Sequence, residues 1–432
     1  MRLQHPRGTF DILPEDVSRW QELESRISEV MAGHGFSEIR TPIFEVKNLF
    51  ARSVGETSDI VEKEMYCFGG EQGDEYALRP ERTAGVVRAY LQHNLDKIRP
   101  RQKWYYLGPN FRHERPQKGR FRQHHQVGVE YFGCKSPKAD AEIVAVLADI
   151  YKAAGIDRYE LVINTLGDRQ CCGQYRQVLQ DYLEPKLDQL CRQCQVRFGR
   201  NIYRVLDCKN EDCRELTHDI PGIYHHLNEE CKRDYDEWKE LLSVLDIPFR
   251  EDPRLVRGLD YYSKAVFEFI SEDLGAQASI GGGGRYDALL QDLGGPDIGA
   301  TGFGSGLERI LMVQQVTQPG FLDRPKLSPR LYFVIVPGDQ QREMSLACYH
   351  QVLELRRQGI CADMEYEQRS LKAQMRAADK CGADFAAVLG PDEFACQKIK
   401  LKEFATRREI LVPLGGLASA IQKIDDERQK KT

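Results

Sequence analysis

A basic stretch with an aromatic residue near each end is the densest set of chemically active side chains in the sequence. It runs from Phe111 to Arg122, reads FRHERPQKGRFR, and holds five Lys and Arg residues within twelve positions. Guanidinium groups bind phosphate oxygens through paired hydrogen bonds, and an aromatic ring offers a face on which a nucleobase stacks. The composition favours a nucleotide or polyphosphate ligand, with a solvated basic loop as the open alternative.

A second candidate is a glycine-rich segment that ends in an arginine. Gly302, Gly304 and Gly306 alternate with other residues just before an apolar helical pattern that contains Arg309. The glycines alone are weak evidence for phosphate binding, because the dinucleotide-binding fingerprint also requires a preceding strand and a βαβ unit, which we do not find in the sequence. Arg309, near the start of the helix, adds a group that can bind polyphosphate. The alternative for the glycine-rich segment is a plain turn ahead of the helix.

The elements that must position these residues follow from the spacing of apolar and polar residues. Residues 16–32 and 140–154 have helical spacing, and we expect Asp140 to cap the second helix. Between them, residues 103–107 and 126–132 are rich in strand-forming residues and flank the basic stretch. This pattern predicts a hairpin within an antiparallel sheet, with the basic stretch at its tip.

Changes in composition divide the chain into parts. Seven of the thirteen Cys lie between Cys171 and Cys231, in a polar and helix-prone stretch that predicts an insertion into one catalytic domain. After Arg330, apolar runs alternate with helical patterns, which predicts a small α/β domain with a parallel sheet. We therefore predict a catalytic domain of residues 1–170 and 241–318, a helical insertion of residues 171–240, a linker of residues 319–329 and a C-terminal domain of residues 330–432.

Length, composition and charge exclude several classes of protein. The chain has 432 residues, of which 41% are hydrophobic and 29% charged, with a net charge of −5, so a fibrous, disordered or strongly basic protein is excluded. No apolar run approaches the roughly 18 residues of a membrane span, and we expect no membrane partner. The start of the chain lacks the apolar segment of a secretory signal, and thirteen Cys, an odd number, fit a reducing cytoplasm.

Five segments in a fixed order carry a family resemblance. Thr41–Glu45, Phe111–Arg122 and Ala300–Ile310 occur in the order of motifs 1, 2 and 3 of class II aminoacyl-tRNA synthetases, which the chain resembles. Leu255–Tyr262 and Gly281–Asp287 narrow this resemblance to the histidyl-tRNA synthetases, and it covers essentially the whole chain. The resemblance implies an α+β fold, with an antiparallel-sheet catalytic domain that carries a helical insertion and a C-terminal α/β domain of the anticodon-binding type.

The resemblance also implies an activity, that of a histidine–tRNA ligase. Such an enzyme converts L-histidine and ATP into histidyl-adenylate and pyrophosphate, and then passes the histidyl group to the 3′ end of histidine tRNA. It implies Mg²⁺ as the companion of ATP, a homodimer, and a cytoplasmic location. The alternative is a catalytically silent, synthetase-like regulatory subunit of histidine biosynthesis. Such paralogues lack the C-terminal domain and tend to lose the ATP-site arginines, whereas this sequence keeps both.

Site residues are assigned by the same resemblance, position by position. The catalytic arginines are Arg112, Arg257 and Arg309. The resemblance assigns histidine binding to Glu81, Thr83, Arg112, Gln126, Glu130, Arg257, Tyr261 and Tyr262, and it places Glu130 and Tyr262 at the imidazole ring. ATP binding falls to Arg112, Glu114, Arg120, Phe121, Gly304, Gly306 and Arg309, with Phe121 stacked on the base.

Simpler interpretations of three of these residues remain open from the sequence. Glu81 and Glu130 fit ordinary ion pairs with Arg79 or Arg122 at strand ends, and Arg257 fits a surface salt bridge in a turn. One position departs from the family, which usually has glycine where this chain has Arg82. We expect the Arg82 side chain to point outward, away from the pocket.

Four cysteines have a spacing that metal sites also use. Cys191 and Cys194 form a C-x2-C pair, and Cys208 and Cys213 form a C-x4-C pair, which is compatible with a tetrahedral zinc site. The alternative is a set of buried reduced thiols, since free Cys behaves as a small hydrophobic residue. We favour the thiols without metal, we expect no catalytic zinc because the activation chemistry does not need it, and we assign no metal ligand among the site residues.

Overall fold

The computed structural model describes residues 3–55, 60–70, 73–258, 261–324 and 328–429. The chain divides into two compact units, Met1–Arg324 and Pro325–Thr432, and the division falls within the residues that we predict as a linker. Leu259 and Asp260 of the predicted Leu255–Tyr262 motif, and Pro325 of that linker, lie outside the described residues. No helix in the described ranges has the length and hydropathy that a membrane crossing requires.

The described residues of the first unit form eleven strands and eleven α-helices. The strands are β1 Ser37–Glu38, β2 Phe44–Val46, β3 Cys67–Gly69, β4 Glu75–Leu78, β5 Gln102–Phe111, β6 Gln123–Phe132, β7 Glu160–Thr165, β8 Phe249–Glu251, β9 Ser263–Ile270, β10 Ser279–Arg285 and β11 Ala300–Gly306. The helices are α1 Pro14–Gly33, α2 Lys47–Val54, α3 Thr83–Gln92, α4 Leu95–Ile98, α5 Pro137–Ala153, α6 Arg169–Leu183, α7 Arg192–Arg200, α8 Glu211–Leu216, α9 Glu229–Val244, α10 Asp287–Asp292 and α11 Leu307–Thr317. Ile60–Glu64 is a π-helix, and Glu184–Gln189, Ile202–Val205, Ile223–His226 and Glu272–Gln277 are 3₁₀-helices.

An eight-stranded sheet is the centre of this unit. Its order is β1-β5-β6-β11-β10-β9-β7-β8, and all neighbours are antiparallel except the parallel pairs β1–β5 and β7–β8. The predicted hairpin is confirmed as β5 and β6, which pair along ten residues each. Glu130 on β6 lies opposite Gly302 on β11, and Gln126 lies opposite Gly306. A separate three-stranded sheet has the order β2-β4-β3.

Two predicted helices pack against this sheet as α1 and α5. The apolar stripe Trp20, Leu23, Ile27 and Met31 of α1 is buried in the main core, as its spacing predicts. The start of α5 differs from the prediction, because Ser136 caps this helix by accepting the Lys138 N–H, and the helix opens at a proline. The Asp140 carboxylate is instead buried against the Arg285 guanidinium at 2.7 Å.

The insertion between β7 and β8 consists of helices joined by turns and irregular segments, with no strand among residues 171–240. It has its own small core, to which five cysteines contribute. Its last helix, α9, also places Tyr235, Trp238 and Leu242 in the main core of the unit. The insertion is therefore anchored through α9 to the core that packs on the eight-stranded sheet.

The second unit is an α/β domain built on a five-stranded sheet. Its strands are β12 Leu331–Ile335, β13 Ala362–Met364, β14 Phe385–Leu389, β15 Lys398–Glu403 and β16 Glu409–Pro413, in the order β13-β12-β14-β15-β16. Its helices are α12 Gln341–Arg357, α13 Leu371–Lys380, α14 Pro391–Ala395 and α15 Leu417–Gln429, with a 3₁₀-helix at Leu414–Gly416. The prediction of a parallel sheet is correct for β13, β12 and β14 and wrong for β15 and β16, which are antiparallel.

Candidate active site

Two adjoining cavities lie on the large sheet of the first unit. The first has a volume of about 410 Å³ and the second about 770 Å³. Both are lined by Arg112, Arg120, Gln126, Arg257 and Gly304, so these residues stand where the cavities meet. The first cavity is also lined by Glu81, Thr83, Glu130, Tyr261 and Tyr262, and the second by Glu114, Phe121, Gly306 and Arg309. The structure thus brings all the predicted site residues to one place.

Glu130 is a carboxylate surrounded by hydroxyl groups in the first cavity. It is 1% exposed, and it accepts hydrogen bonds from the Thr83 Oγ1 at 2.7 Å, the Tyr106 hydroxyl at 3.2 Å and the Tyr286 hydroxyl. Burial raises the pKa of Glu130 to about 8, because the charged form loses its hydration. With this pKa the carboxyl is largely neutral near pH 7, and a cationic partner such as a protonated imidazole would favour its charged form.

Glu81 lies near Glu130 and holds the first turn of α3. Its carboxylate accepts the backbone N–H groups of Thr83 at 2.6 Å and Ala84 at 3.0 Å, and burial raises its pKa. The ion pairs that the sequence left open for Glu81 and Glu130 do not form in the described residues. The Arg79 and Arg122 guanidinium groups donate to backbone carbonyls instead.

The glycines at 302 and 304 lie inside strand β11, so the plain turn that the sequence left open as an alternative does not form. A Cβ atom on Gly302 would stand 2.4 Å from the Glu130 Oε2, and a Cβ atom on Gly304 would stand 2.1 Å from the Gln126 Nε2. Both distances are below van der Waals contact. The missing side chains therefore leave the space in which Glu130 and Gln126 cross from β6 over the neighbouring strand.

Four arginines line the second cavity or its border with the first. The Arg112 Nε donates to the Pro80 carbonyl at 2.8 Å, and Arg120 forms an ion pair with Glu114. The Arg309 guanidinium donates to the carbonyls of Gly119 at 3.0 Å and Ser279 at 2.7 Å. A guanidinium has five N–H donors, so these contacts fix the groups and leave donors for a ligand. Such an array suits a polyphosphate.

Arg257 does not stand in an exposed turn. Its Nη1 is 2.9 Å from the Glu268 Oε1, its side chain is 19% exposed, and it lines both cavities. The surface salt bridge that the sequence left open is therefore replaced by an ion pair at the point where the cavities meet.

Phe121 and His124 are the rings that line the second cavity. The Phe121 ring lies 4.9 Å from the ring of Phe10. Burial, with Arg112 and Arg309 nearby, lowers the pKa of His124 to about 3, so this imidazole is neutral near pH 7. His124 adds no charge to the arginine array.

Arg82 points inward, contrary to the prediction. It is 2% exposed, its Nη1 donates to the Leu107 carbonyl at 3.0 Å, and its guanidinium lies 5.2 Å from the centre of the Tyr106 ring. Its backbone has a φ of −114°, so no strain arises from the replacement of glycine. Burial lowers the pKa of Arg82 to about 10. The side chain instead supports Tyr106, which donates to Glu130.

Sequence reasoning missed several residues that line the cavities. Tyr286 lies in the segment Gly281–Asp287 that carries the family resemblance, but we did not assign it to the site. Its neighbour Arg285 is buried and forms ion pairs with Asp140 and Asp287. Tyr106 is a buried strand residue without a distinguishing signal. The insertion contributes Gln193, Arg197 and Arg204 to the first cavity and Asp207 and Lys209 to the second.

Comparison with known proteins identifies the family to which the chain is similar. Residues 8–310 match the family model described as Histidyl-tRNA synthetase, and residues 332–424 match the one described as Anticodon binding domain. The histidine–tRNA ligase of Desulfitobacterium hafniense (strain DSM 10664 / DCB-2) is 42% identical over 423 residues, 98% of each chain. That of Desulforamulus reducens is 45% identical over 394 residues, 91% of this chain and 93% of that protein.

A solved structure is similar over both units. The apo histidyl-tRNA synthetase of S. aureus matches with a TM-score of 0.79 at 36% identity, covering 97% of this chain and 99% of that one. This match confirms the predicted α+β fold, with its antiparallel-rich central sheet and its C-terminal α/β domain.

Proposed function

The chain belongs to the histidyl-tRNA synthetase family, and from this premise we propose how its residues carry out the ATP-dependent ligation of histidine to tRNA. The carboxylate of L-histidine attacks the α-phosphorus of ATP, which gives histidyl-adenylate and releases pyrophosphate. The terminal ribose hydroxyl of histidine tRNA then attacks the adenylate carbonyl carbon, and AMP leaves. The observation that carries the proposal is a buried carboxylate with hydroxyl donors, joined through Arg112 and Arg257 to an arginine-lined cavity.

Histidine is recognised in the first cavity by its ring. Glu130 accepts an imidazole N–H, and Tyr262 contacts the other edge of the ring. A site whose polar groups are left unpaired by the wrong side chain rejects it more strongly than an apolar pocket does. Glu81, Thr83 and Gln126 hold the α-amino group and backbone of histidine, and Tyr261 closes the pocket beside them. This assignment is supported by the burial of Glu81, Glu130 and Tyr261.

Activation takes place where the two cavities meet. The attacking carboxylate is already ionised, so catalysis requires orientation and stabilisation of charge on the phosphorus oxygens. Arg257 and Arg112 line both cavities, and each is placed to bind the histidine carboxylate and the α-phosphate together. Because protein contacts hold both guanidinium groups beforehand, little reorganisation is needed as charge develops in the transition state.

ATP is bound in the second cavity. Arg309 and Arg120 hold the β- and γ-phosphates, Glu114 lies near the adenine, and Phe121 stacks on the base. Gly306 leaves room for the nucleotide because it adds no side chain to the wall, and Gly304 admits the Gln126 side chain at the border of this cavity.

Mg²⁺ accompanies ATP in this proposal. Carboxylate oxygens are among its preferred ligands, and Asp207 and Glu268 line the second cavity. The Glu268 Oε1 accepts hydrogen bonds from Arg257 at 2.9 Å and from Ser279 at 2.7 Å, and Glu268 and Asp207 are the carboxylates that would hold the cation. When bound, the cation neutralises part of the triphosphate charge.

The second unit is assigned to tRNA. Residues 332–424 match an anticodon-binding domain, and the unit has a core separate from that of the catalytic unit. We propose that it supplies binding energy for histidine tRNA and none for histidine or ATP. The alternative of a silent regulatory subunit is not supported, because this domain and the arginines at 112, 257 and 309 are all present.

We also propose a homodimer and a cytoplasmic location. Ile43, Phe44, Val46 and Phe68 are each between 44% and 52% exposed on the small sheet that contains the motif-1-like segment. Exposed apolar residues grouped in this way mark interaction surfaces, and a second copy of the chain covers them in our proposal. All thirteen cysteines are free, which fits a reducing compartment.

The test of this function is histidine-dependent exchange of pyrophosphate into ATP. We expect exchange with histidine and not with other amino acids. Arg257→Ala should lower the rate roughly a hundred- to thousandfold, because one preorganised charged donor is lost. Arg250→Ala, which removes a surface ion pair with Glu160, is the control and should leave the rate unchanged. Exchange by folded Arg257→Ala at near the parent rate would remove Arg257 from the mechanism.

A further inference from the structure

Four cysteines of the insertion converge on one point in the structure. The Sγ atoms of Cys191, Cys194, Cys208 and Cys213 all lie within 4.8 Å of one another. Cys191 and Cys208 have their sulfur atoms 3.9 Å apart. A tetrahedral zinc ion with Zn–S bonds of about 2.3 Å requires sulfur atoms about 3.8 Å apart. The separation of Cys191 and Cys208 matches that of two ligands of one zinc ion.

The surrounding backbone also suits thiolates. Cys191 occupies the N-cap position of α7 without a side-chain capping hydrogen bond, and Cys194 lies in the first turn of α7, while Cys213 lies in α8. The Cys191 N–H donates to the Cys213 Sγ at 3.2 Å, and the N-termini of helices favour negative charge. Asn210 caps α8 by accepting the Cys213 N–H at 3.1 Å, which fixes the position of that cysteine.

We propose that Cys191, Cys194, Cys208 and Cys213 bind one structural Zn²⁺ ion. Four thiolates in a tetrahedral arrangement are typical of structural zinc, and a closed set of four protein ligands leaves no position for substrate. The geometry thus reverses our preference from the sequence, which favoured thiols without metal. The spacing in the sequence was compatible with both interpretations, and only the fold shows that the two pairs meet.

The zinc site holds the part of the insertion that reaches the active site. Gln193 and Arg197 line the first cavity, and Gln193 is adjacent to Cys194 while Arg197 follows it by three positions. Asp207 and Lys209 line the second cavity and flank Cys208 directly. One zinc ion therefore ties together the two segments from which the insertion contributes to both substrate cavities.

A metal is a reasonable stabiliser in this place because the insertion has little core of its own. Its hydrophobic cluster is built from one face of α6 and several short helical segments without a sheet, and three of the four proposed ligands belong to that cluster. Small cores of this kind are commonly completed by a metal or disulfides. Without the metal, we expect the catalytic sheet to stay folded and the walls made by residues 193–209 to loosen.

Elemental analysis of the full-length protein, purified without added metal or a polyhistidine tag, is the first test. We expect about one zinc per chain and no iron. Cys191→Ser/Cys194→Ser should lose this zinc. The matched control is Cys171→Ser/Cys231→Ser, which removes two buried cysteines of the same insertion and should keep it. Absence of zinc from the parent, iron in its place, or equal zinc loss from both double variants would overturn the proposal.

A second test uses the parent protein and does not depend on how a variant folds. After zinc is exchanged for Co²⁺, the visible spectrum should show the bands of tetrahedral cobalt with sulfur-to-metal charge transfer. Mapping of thiols on the native protein should find the four cysteines protected from alkylation and released together when zinc is chelated. Alkylation of these thiols at the same rate with and without chelator, or two disulfides among them, would contradict the site.

The functional consequence is measured on the zinc-free protein. The kcat/KM for ATP in pyrophosphate exchange should fall about tenfold to a hundredfold, because misplaced cavity walls are costly even at a distance from the chemistry. Readdition of zinc should restore it. An unchanged kcat/KM in protein shown to be zinc-free would refute the link between the metal and the cavities.

Discussion

Glu130 shows how the fold sets the chemistry of a single residue. Its carboxyl group lies on a central strand, under a glycine of the neighbouring strand, and receives three hydroxyl donors. Burial outweighs those donors and raises the pKa of Glu130 to about 8, against an ordinary value of 4.5. The protein therefore keeps a costly buried carboxyl at the position where our proposal places the imidazole ring of histidine.

The raised pKa of Glu130 predicts a pH-dependent stability. A carboxyl whose pKa is higher in the folded state stabilises fully below its unfolded pKa, and this contribution is lost as pH rises through the folded pKa. Glu130→Gln removes the ionisation, so the free energy of unfolding of the variant should improve relative to the parent between about pH 5 and 8.5. Urea unfolding across this range measures the difference, with exposed Glu229→Gln as the control. A difference that does not change with pH would contradict the buried ionisation.

Arg82 is a positioning residue by its contacts. It supports the Tyr106 ring, and its Nε lies 3.4 Å from the Asn110 Oδ1, while the Asn110 amide donates to Gln126 at 2.7 Å. Arg82→Ala should therefore raise the KM for histidine roughly tenfold, with a smaller effect on the KM for ATP. Steady-state exchange kinetics measure both, and Arg40→Ala, at an exposed pair with Glu38, is the control. Equal changes in both KM values would point to a general structural role.

Strand β11 shapes the site because two of its residues, Gly302 and Gly304, have no side chain. Gly302→Ala would place a Cβ atom 2.3 Å from the Val129 carbonyl, which the sheet holds in place, so we expect loss of stability. Gly304→Ala meets the end of the Gln126 side chain, which can move, so we expect a folded protein with impaired exchange. Thermal unfolding and exchange rates separate the two effects. Gly173→Ala, at a helical glycine of α6 with open space around the added Cβ, is the control, and similar behaviour of all three variants would refute this account.

Elements were predicted correctly where the local spacing of apolar residues was clear. They were missed where contacts between segments distant in the sequence determine the structure. The β5–β6 hairpin and α1 follow from local patterns, and both are confirmed. Strand β15 alternates buried Ile399 and Leu401 with lysines, a short pattern that we did not separate from its surroundings. Asp140 looked like a helix cap, and its partner Arg285 is 145 residues away.

As with the helices and strands, some residues of the site could be predicted from the sequence and others could not. Motif residues such as Arg112 and Glu130 come from the family resemblance, and the structure brings them to the same two cavities. The inward direction of Arg82 was not predictable, because it depends on the carbonyls of β5 that receive its guanidinium. The insertion residues Asp207 and Lys209 carried no signal, since only the fold brings them to the second cavity.

The proposed dimer of the whole molecule can be tested at the exposed aromatic residues of the small sheet. Phe44, Phe68 and Tyr76 contact one another, with ring centroids 5.8 to 6.0 Å apart, and the two phenylalanines remain about half exposed. Phe44→Asp should shift the protein to a monomer, because a buried unpaired charge opposes association. Sedimentation velocity measures this, with Leu411→Asp as an exposed apolar control in the second unit. A stable dimer of Phe44→Asp would place the interface elsewhere.

The most direct test of the central claim is a crystal structure of the full chain with a non-hydrolysable histidyl-adenylate analogue. The claim is that the two adjoining cavities form a single site for histidine activation. We expect the imidazole ring against Glu130, the phosphate-mimicking group between Arg112 and Arg257, and the adenine on Phe121. An analogue bound with its imidazole away from Glu130, or with its linking group out of reach of both arginines, would contradict the account.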